Sequence, residues 1–121
     1  MTTKSKQISV VDDDESVREA LPDLLRSFGF GVHTFGSAEA FLEAKAFAFS
    51  DGMILDIAMP GMTGPELYKE LSRSGKRVPT IFITALKDEI LRTRLMNDGA
   101  IECLFKPFGD DELENALGVI A

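Results

Sequence analysis

Five times along the chain a short, β-branched apolar run gives way to a longer segment with helical spacing. The runs are Gln7–Val11, Val32–Phe35, Met53–Ile57, Thr80–Thr84 and Glu102–Phe105. The helical segments are Glu15–Phe28, Ala38–Ala46, Pro65–Ser74, Asp88–Asp98 and Asp111–Ile120. Repeated β-then-α units predict an α/β domain, a doubly wound parallel sheet flanked by five helices. Right-handed crossovers leave few strand orders. Met53–Ile57 and Thr80–Thr84 have the apolar character of central strands, whereas Val32-His33-Thr34-Phe35 is short and mixed, as an edge is. These features predict a five-stranded sheet in the order 2-1-3-4-5. Strands one and three then lie side by side where the order reverses. In such sheets ligands bind at the carboxyl ends of the strands.

Local signals set the helix boundaries. Asp14 is placed to cap the first helix, whose apolar stripe is Val17, Leu21, Leu24, Leu25 and Phe28, and Gly29 and Gly31 close it. Pro22 interrupts that stripe and predicts a kink. Ser37 is placed to cap the second helix, and Gly64-Pro65 reads as a cap followed by a first-turn proline. The fourth helix has the weakest stripe (Ile90, Leu91, Leu95), so it is expected to be the loosest element.

Length and charge exclude several functions. A chain of 121 residues, 45% apolar and 27% charged, is expected to form one domain, 1–121, with no room for an output domain. No run approaches the ~18 apolar residues of a membrane span, and no apolar signal core follows Met1–Lys6. The one cysteine, Cys103, excludes an internal disulfide and suits a reducing cytoplasm. Thirteen basic against 20 acidic residues leave −7, which gives no bulk attraction to nucleic acid and leaves room only for a local basic patch.

Polar residues collect at the predicted carboxyl edge. Strand one runs into Asp12-Asp13-Asp14-Glu15, strand three into Asp56, strand four ends at Thr84 and strand five runs into Lys106-Pro107. Asp56 is the sharpest of these, because it sits within an apolar run where an unpartnered charge is costly. Packed acids resist ionisation unless a cation joins them, and an all-oxygen set suits Mg²⁺. Lys106 is a fixed cation opposite, and Thr84 offers a hydroxyl beside small Ala85. Carboxylates, a hard metal, a lysine and a hydroxyl can receive a phosphoryl group, and a carboxylate can itself be the nucleophile. Taken singly, Asp12 to Glu15 read as a capping acid run, Lys106 as a snorkelling surface residue and Thr84 as strand filler; their combination gives them weight. Asp14 and Glu15 read as cap and helix-dipole partners, His33 as an edge residue and Cys103 as a half-buried packing residue.

At these residues the sequence resembles a response-regulator receiver domain of two-component signalling, CheY-like and of flavodoxin-like fold. The matching pieces are Val10–Arg18, Ile54–Gly64, Phe82–Ala85 and Phe105–Phe108, in order along the whole chain. Phe35–Leu42 is similar to the nitrogen-fixation and nitrate-regulator branch. The resemblance implies a cytoplasmic signalling domain rather than an enzyme. Asp56 would accept phosphate from a sensor histidine kinase or phosphotransfer protein. Asp13, Asp56 and the Ala58 backbone carbonyl would ligate Mg²⁺, with Asp12 helping through water. Thr84 and Lys106 would bind the phosphoryl group, and Lys106-Pro107 would be cis. The output face would be helix four, strand five and helix five, meeting a downstream protein, an attached output domain or a second copy, with no direct nucleic acid contact.

One position departs from the family. Receivers carry Tyr or Phe three residues before the lysine, as the switch whose rotation reports the phosphoryl state; here it is Cys103. The readout is then expected to lean on the fourth helix and the loop before it. Cys103 also keeps open an alternative, a phosphate-independent pseudo-receiver acting as an interaction module. A flavin carrier of the same topology would need Ser, Thr and Gly where this chain has acids. An aspartate phosphatase would need a carboxylate at Ala58.

Overall fold

The computed structural model describes residues 5–121; of the segment read for an export signal, residues 1–4 lie outside the described residues. Strands β1 (Gln7–Val11), β2 (Gly31–Phe35), β3 (Gly52–Asp56), β4 (Thr80–Thr84) and β5 (Glu102–Phe105) form one parallel sheet in the order β2-β1-β3-β4-β5. Helices α1 (Glu15–Ser27), α2 (Ala38–Glu43), α3 (Gly64–Arg73), α4 (Glu89–Asn97) and α5 (Asp110–Leu117) alternate with the strands.

Side chains alternate along a strand, so the sheet feeds two cores. Val11, Met53, Leu55, Phe82 and Cys103 pack on one face with Phe41 of α2, Leu67 and Leu71 of α3 and Leu95 of α4. Ile8, Val10, Ile54, Ile81, Ile83 and Leu104 pack on the other with Leu21 and Leu25 of α1 and Leu113 and Leu117 of α5. Each fully buried Leu or Ile contributes about 1.5–3 kcal/mol. β3 and β4 are buried along their whole length, whereas β2 is half-exposed, as an edge is. There His33 lies at the surface, bonded to Gln7 (3.0 Å) and edge-on to Phe49.

Several boundaries differ from the sequence reading, each for a local reason. α2 stops at Glu43 rather than Ala46, because Lys45 turns left-handed (φ 52°) before a 3₁₀ turn at Ala46–Ala48. α3 is capped by Thr63, not Gly64: the Thr63 hydroxyl accepts from the Glu66 N–H, and the Glu66 carboxylate accepts from the Thr63 N–H. Such a reciprocal pair satisfies two orphan donors of the first turn. α5 ends at Leu117, short of Ile120. α1 runs on through a buried Pro22 as one helix. Cys103 is fully buried rather than half-buried. α4 buries only Leu95, in keeping with its weak stripe.

Candidate functional site

The register builds the site. Val11 pairs with Leu55, so the chain reaches Asp12 and Asp56 side by side on adjacent strands. By alternation Asp12 and Asp56 fall in line with Val10 and Ile54, on the α1–α5 face, and Lys106 falls in line with Leu104 on the same face. The Lys106 ammonium lies 3.0 Å from one Asp12 oxygen and 3.6 Å from Asp56. Asp13, exposed at the rim, completes a cluster in which Asp12, Asp13 and Asp56 each bring a carboxylate oxygen within 4.8 Å of the others. The Lys106-Pro107 peptide is cis.

Asp12 is held on every side. One carboxylate oxygen accepts from the Asp14 N–H (2.9 Å) and the other from Lys106. Its carbonyl accepts from an Arg18 Nη (2.8 Å), and its N–H donates to the Phe35 carbonyl. Asp14 caps α1, as its sequence position predicts, by accepting from the Ser16 N–H. Asp56 is placed differently. Only 6% exposed, it is pushed up from 3.8 to about 6, first by burial, then by the charge of Asp12 and by the charge and hydrogen bond of Asp13; Lys106 pulls the other way and loses. Burial draws Lys106 down, but its Asp12 hydrogen bond and the charges of Asp56 and Asp12 outweigh it, so the ammonium is held above its usual range. Three carboxylates gathered around one ammonium leave acidic groups in excess on oxygen donors alone, a set that could hold a hard divalent cation.

Ala58 and Thr84 flank this cluster without joining it. Ala58 is exposed on the loop after β3, and among the described residues its carbonyl accepts no backbone hydrogen bond. Thr84 is buried in line with Phe82, toward the opposite face, and its hydroxyl accepts from the Leu86 N–H (3.1 Å). The structure therefore brings together Asp12, Asp13, Asp56 and Lys106, and turns the Thr84 hydroxyl to the β4–α4 loop. A groove lined by Tyr68, Lys69, Arg73 and Arg77 lies at the C-terminal end of α3, away from this rim.

Three contributors escaped the sequence reading. Arg18 anchors the Asp12 backbone; its position one helical turn after the Asp14 cap was the available signal. Gly64 packs so closely that a Cβ would overlap the Asp56 carbonyl, and its N–H donates to the Ile57 carbonyl (3.0 Å). Glu39, from the first turn of α2, accepts from the Met62 N–H (2.8 Å); nothing local in the sequence indicates it.

A sheet ordered 2-1-3-4-5, with acids after β1 and at the end of β3 and a lysine after β5, defines a receiver domain of two-component response regulators, a signalling domain. The chain belongs to that family: the response regulator receiver domain matches residues 8–118. It is 41% identical over 113 residues to the transcriptional regulatory protein FixJ of Bradyrhizobium diazoefficiens, covering 93% of this chain and 55% of that protein. It is 39% identical over 110 residues to nodulation protein W of the same organism, covering 91% and 48%. The solved structure of the response regulator StyR superposes with a TM-score of 0.87 at 44% identity, over 96% of this chain and 59% of that one. The chain spans about half the length of the curated relatives it matches. Among the described residues no helix is long and apolar enough to cross a membrane.

Proposed function

We propose that this chain is a phosphoacceptor switch with Asp56 as the acceptor. The observation that carries the reading is a buried carboxylate at the end of a central strand, pushed up to about 6, facing Lys106 at 3.6 Å and gathered with two more carboxylates. An Asp56 oxygen attacks the phosphorus of a phosphohistidine on a sensor kinase or phosphotransfer protein. The P–N bond breaks, the imidazole leaves with the electron pair, and an acyl phosphate forms. Water later cleaves it, returning the carboxylate and inorganic phosphate.

The donor set fits Mg²⁺. Asp13, Asp56 and the Ala58 carbonyl would hold it, with Asp12, whose oxygens already serve Lys106 and the Asp14 N–H, contributing through water. When bound, the ion supplies positive charge to the phosphoryl oxygens. Lys106 sits within reach of Asp12 and Asp56 to bind a second face of the group. The Thr84 hydroxyl would turn from Leu86 to donate to it, with Cys103 at the family's switch position. The output surface is α4–β5–α5, which meets a downstream protein, an attached output domain or a second copy. The stretch 1–121 acts as one receiver domain, and its lone thiol suits the cytoplasm.

Incubation with acetyl phosphate and Mg²⁺, followed by intact mass, tests the reading. One added phosphoryl group is expected on the wild type and none on Asp56→Asn. No added mass on the wild type, even with a cognate kinase, would favour the pseudo-receiver. Uptake by Asp56→Asn at unchanged stoichiometry would move the acceptor elsewhere.

A further inference from the structure

We propose that Glu39 is a positioning residue for the acidic site: its carboxylate holds the β3–α3 loop in the shape that presents the Ala58 carbonyl. This rests on the reading of Ala58 and Asp56 as Mg²⁺ ligands.

Both ends of the loop are fixed. The Ile57 N–H donates to the Ile83 carbonyl (3.1 Å), and Thr63 is locked into the cap of α3. Between them, the Met62 N–H to Glu39 bond, 2.8 Å, is the single hydrogen bond of residues 58–62 among the described residues. Gly61 lies beside it with φ +74°, and a Cβ there would sit 2.7 Å from a Glu39 oxygen. Glycine therefore serves twice, by taking the left-handed turn and by leaving room for the carboxylate. Met59 and Met62 pack on the core below, but apolar contact does not fix the rotation of a peptide plane. One tethered amide three peptides past Ala58 does restrict it. Ser37, by capping α2 through the Ala40 N–H (3.0 Å), fixes the turn from which Glu39 reaches.

An acid in a first turn also offsets the helix dipole without touching any loop. Glutamine separates the two roles, because its amide oxygen still accepts from Met62 while its charge is gone. Glu39 is exposed, so both variants are expected to fold. The test compares wild type, Glu39→Ala and Glu39→Gln by Mg²⁺ titration on backbone amide NMR shifts and by hydrogen exchange at the Met62 amide. Glu39→Ala is expected to weaken Mg²⁺ about fivefold, as the net loss of one ordinary, solvent-exposed hydrogen bond would, and to speed Met62 exchange. Glu39→Gln is expected to stay within about twofold of wild type on both readouts. Wild-type Mg²⁺ affinity in Glu39→Ala, or Glu39→Gln as impaired as Glu39→Ala, overturns the tether alone. No Mg²⁺ shifts in the wild type overturn the metal reading, and the tether with it.

Discussion

The acidic rim and the α4 face lie at neighbouring parts of the same sheet but are held by different physics. At the rim, Asp12 and Asp56 extend directly from buried central strands, and both Asp12 carboxylate oxygens have partners. The α4 face has little apolar anchorage. Leu95 alone is fully buried, while Leu86 and Ile90 are 63% and 77% exposed. A polar clamp supplements it: Arg92 donates from Nε to the Cys103 carbonyl (3.2 Å) and from an Nη to Glu102 (2.9 Å), with Glu89 at 3.6 Å. Its guanidinium also lies 5.9 Å from the centre of the Phe105 ring. Position is fixed where the acids gather, and less firmly anchored along α4. A buried thiol at Cys103 leaves no ring to link the two, so the polar contact of α4 with β5 runs through Arg92, beside the apolar packing of Leu95 and Leu91.

The largest expected effect falls on the rim. Gly64→Ala would drive a methyl into the Asp56 carbonyl, and backbone on both sides leaves it nowhere to go. A cost of about 3 kcal/mol or more is expected in urea unfolding, with loss of phosphate uptake. Stability within about 1 kcal/mol of wild type would mean that the rim gives way as readily as α4, and the contrast between the two regions would fail.

Asp56→Asn should act in the opposite direction on stability. In the folded state Asp56 titrates near 6 against 3.8 ordinarily, so between those values the unfolded chain ionises while the native one holds its proton. Native protein then binds more protons, and this group's contribution to stability falls as pH rises through that window. Above pH 6 the full penalty is present, about 3 kcal/mol at most from the gap between the two values. In EDTA, Asp56→Asn is therefore expected to be more stable than wild type by about 2 kcal/mol at pH 7, and by little at pH 4. Urea unfolding of both proteins across that range reads the difference directly. A difference independent of pH would remove Asp56 from the strained position assigned to it.

The two regions were also unequally legible. Every strand was readable within a residue or so at each end, because β-branched runs between turn signals leave little choice of element. The rim followed from strand order, since four strands ending in Asp12, Asp56, Thr84 and Lys106 can deliver them only to one edge. What was not legible lies in contacts between distant segments. Glu39 meets Met62 across 23 positions, and Arg92 meets Glu102 across 10, with no local pattern to announce either pair. The Thr63 cap was missed because Gly64-Pro65 is itself a strong start signal, although Thr63 and Glu66 had capping-box spacing. The depth of Cys103 depended on how α4 docks, which its weak stripe did not determine.

The smallest effect should separate the regions most cleanly. Arg92→Ala removes the clamp at a site where the side chain is 38% exposed, so solvent already screens much of its attraction to Glu102 and Glu89. About 1 kcal/mol or less of global stability is expected to be lost. Locally the loss is greater in proportion, because α4 has only Leu95 and the half-buried Leu91 left to hold it against the sheet. Hydrogen exchange of the α4 amides should therefore accelerate while that of β1 and β3 stays unchanged. Phosphate uptake from acetyl phosphate should remain within about twofold, since Arg92 touches none of Asp12, Asp13, Asp56 or Lys106. Uniform acceleration across the sheet would show that clamp and rim unfold as one unit. Faster exchange confined to α4 would show a face whose docking can change while the acids stay where the strands put them.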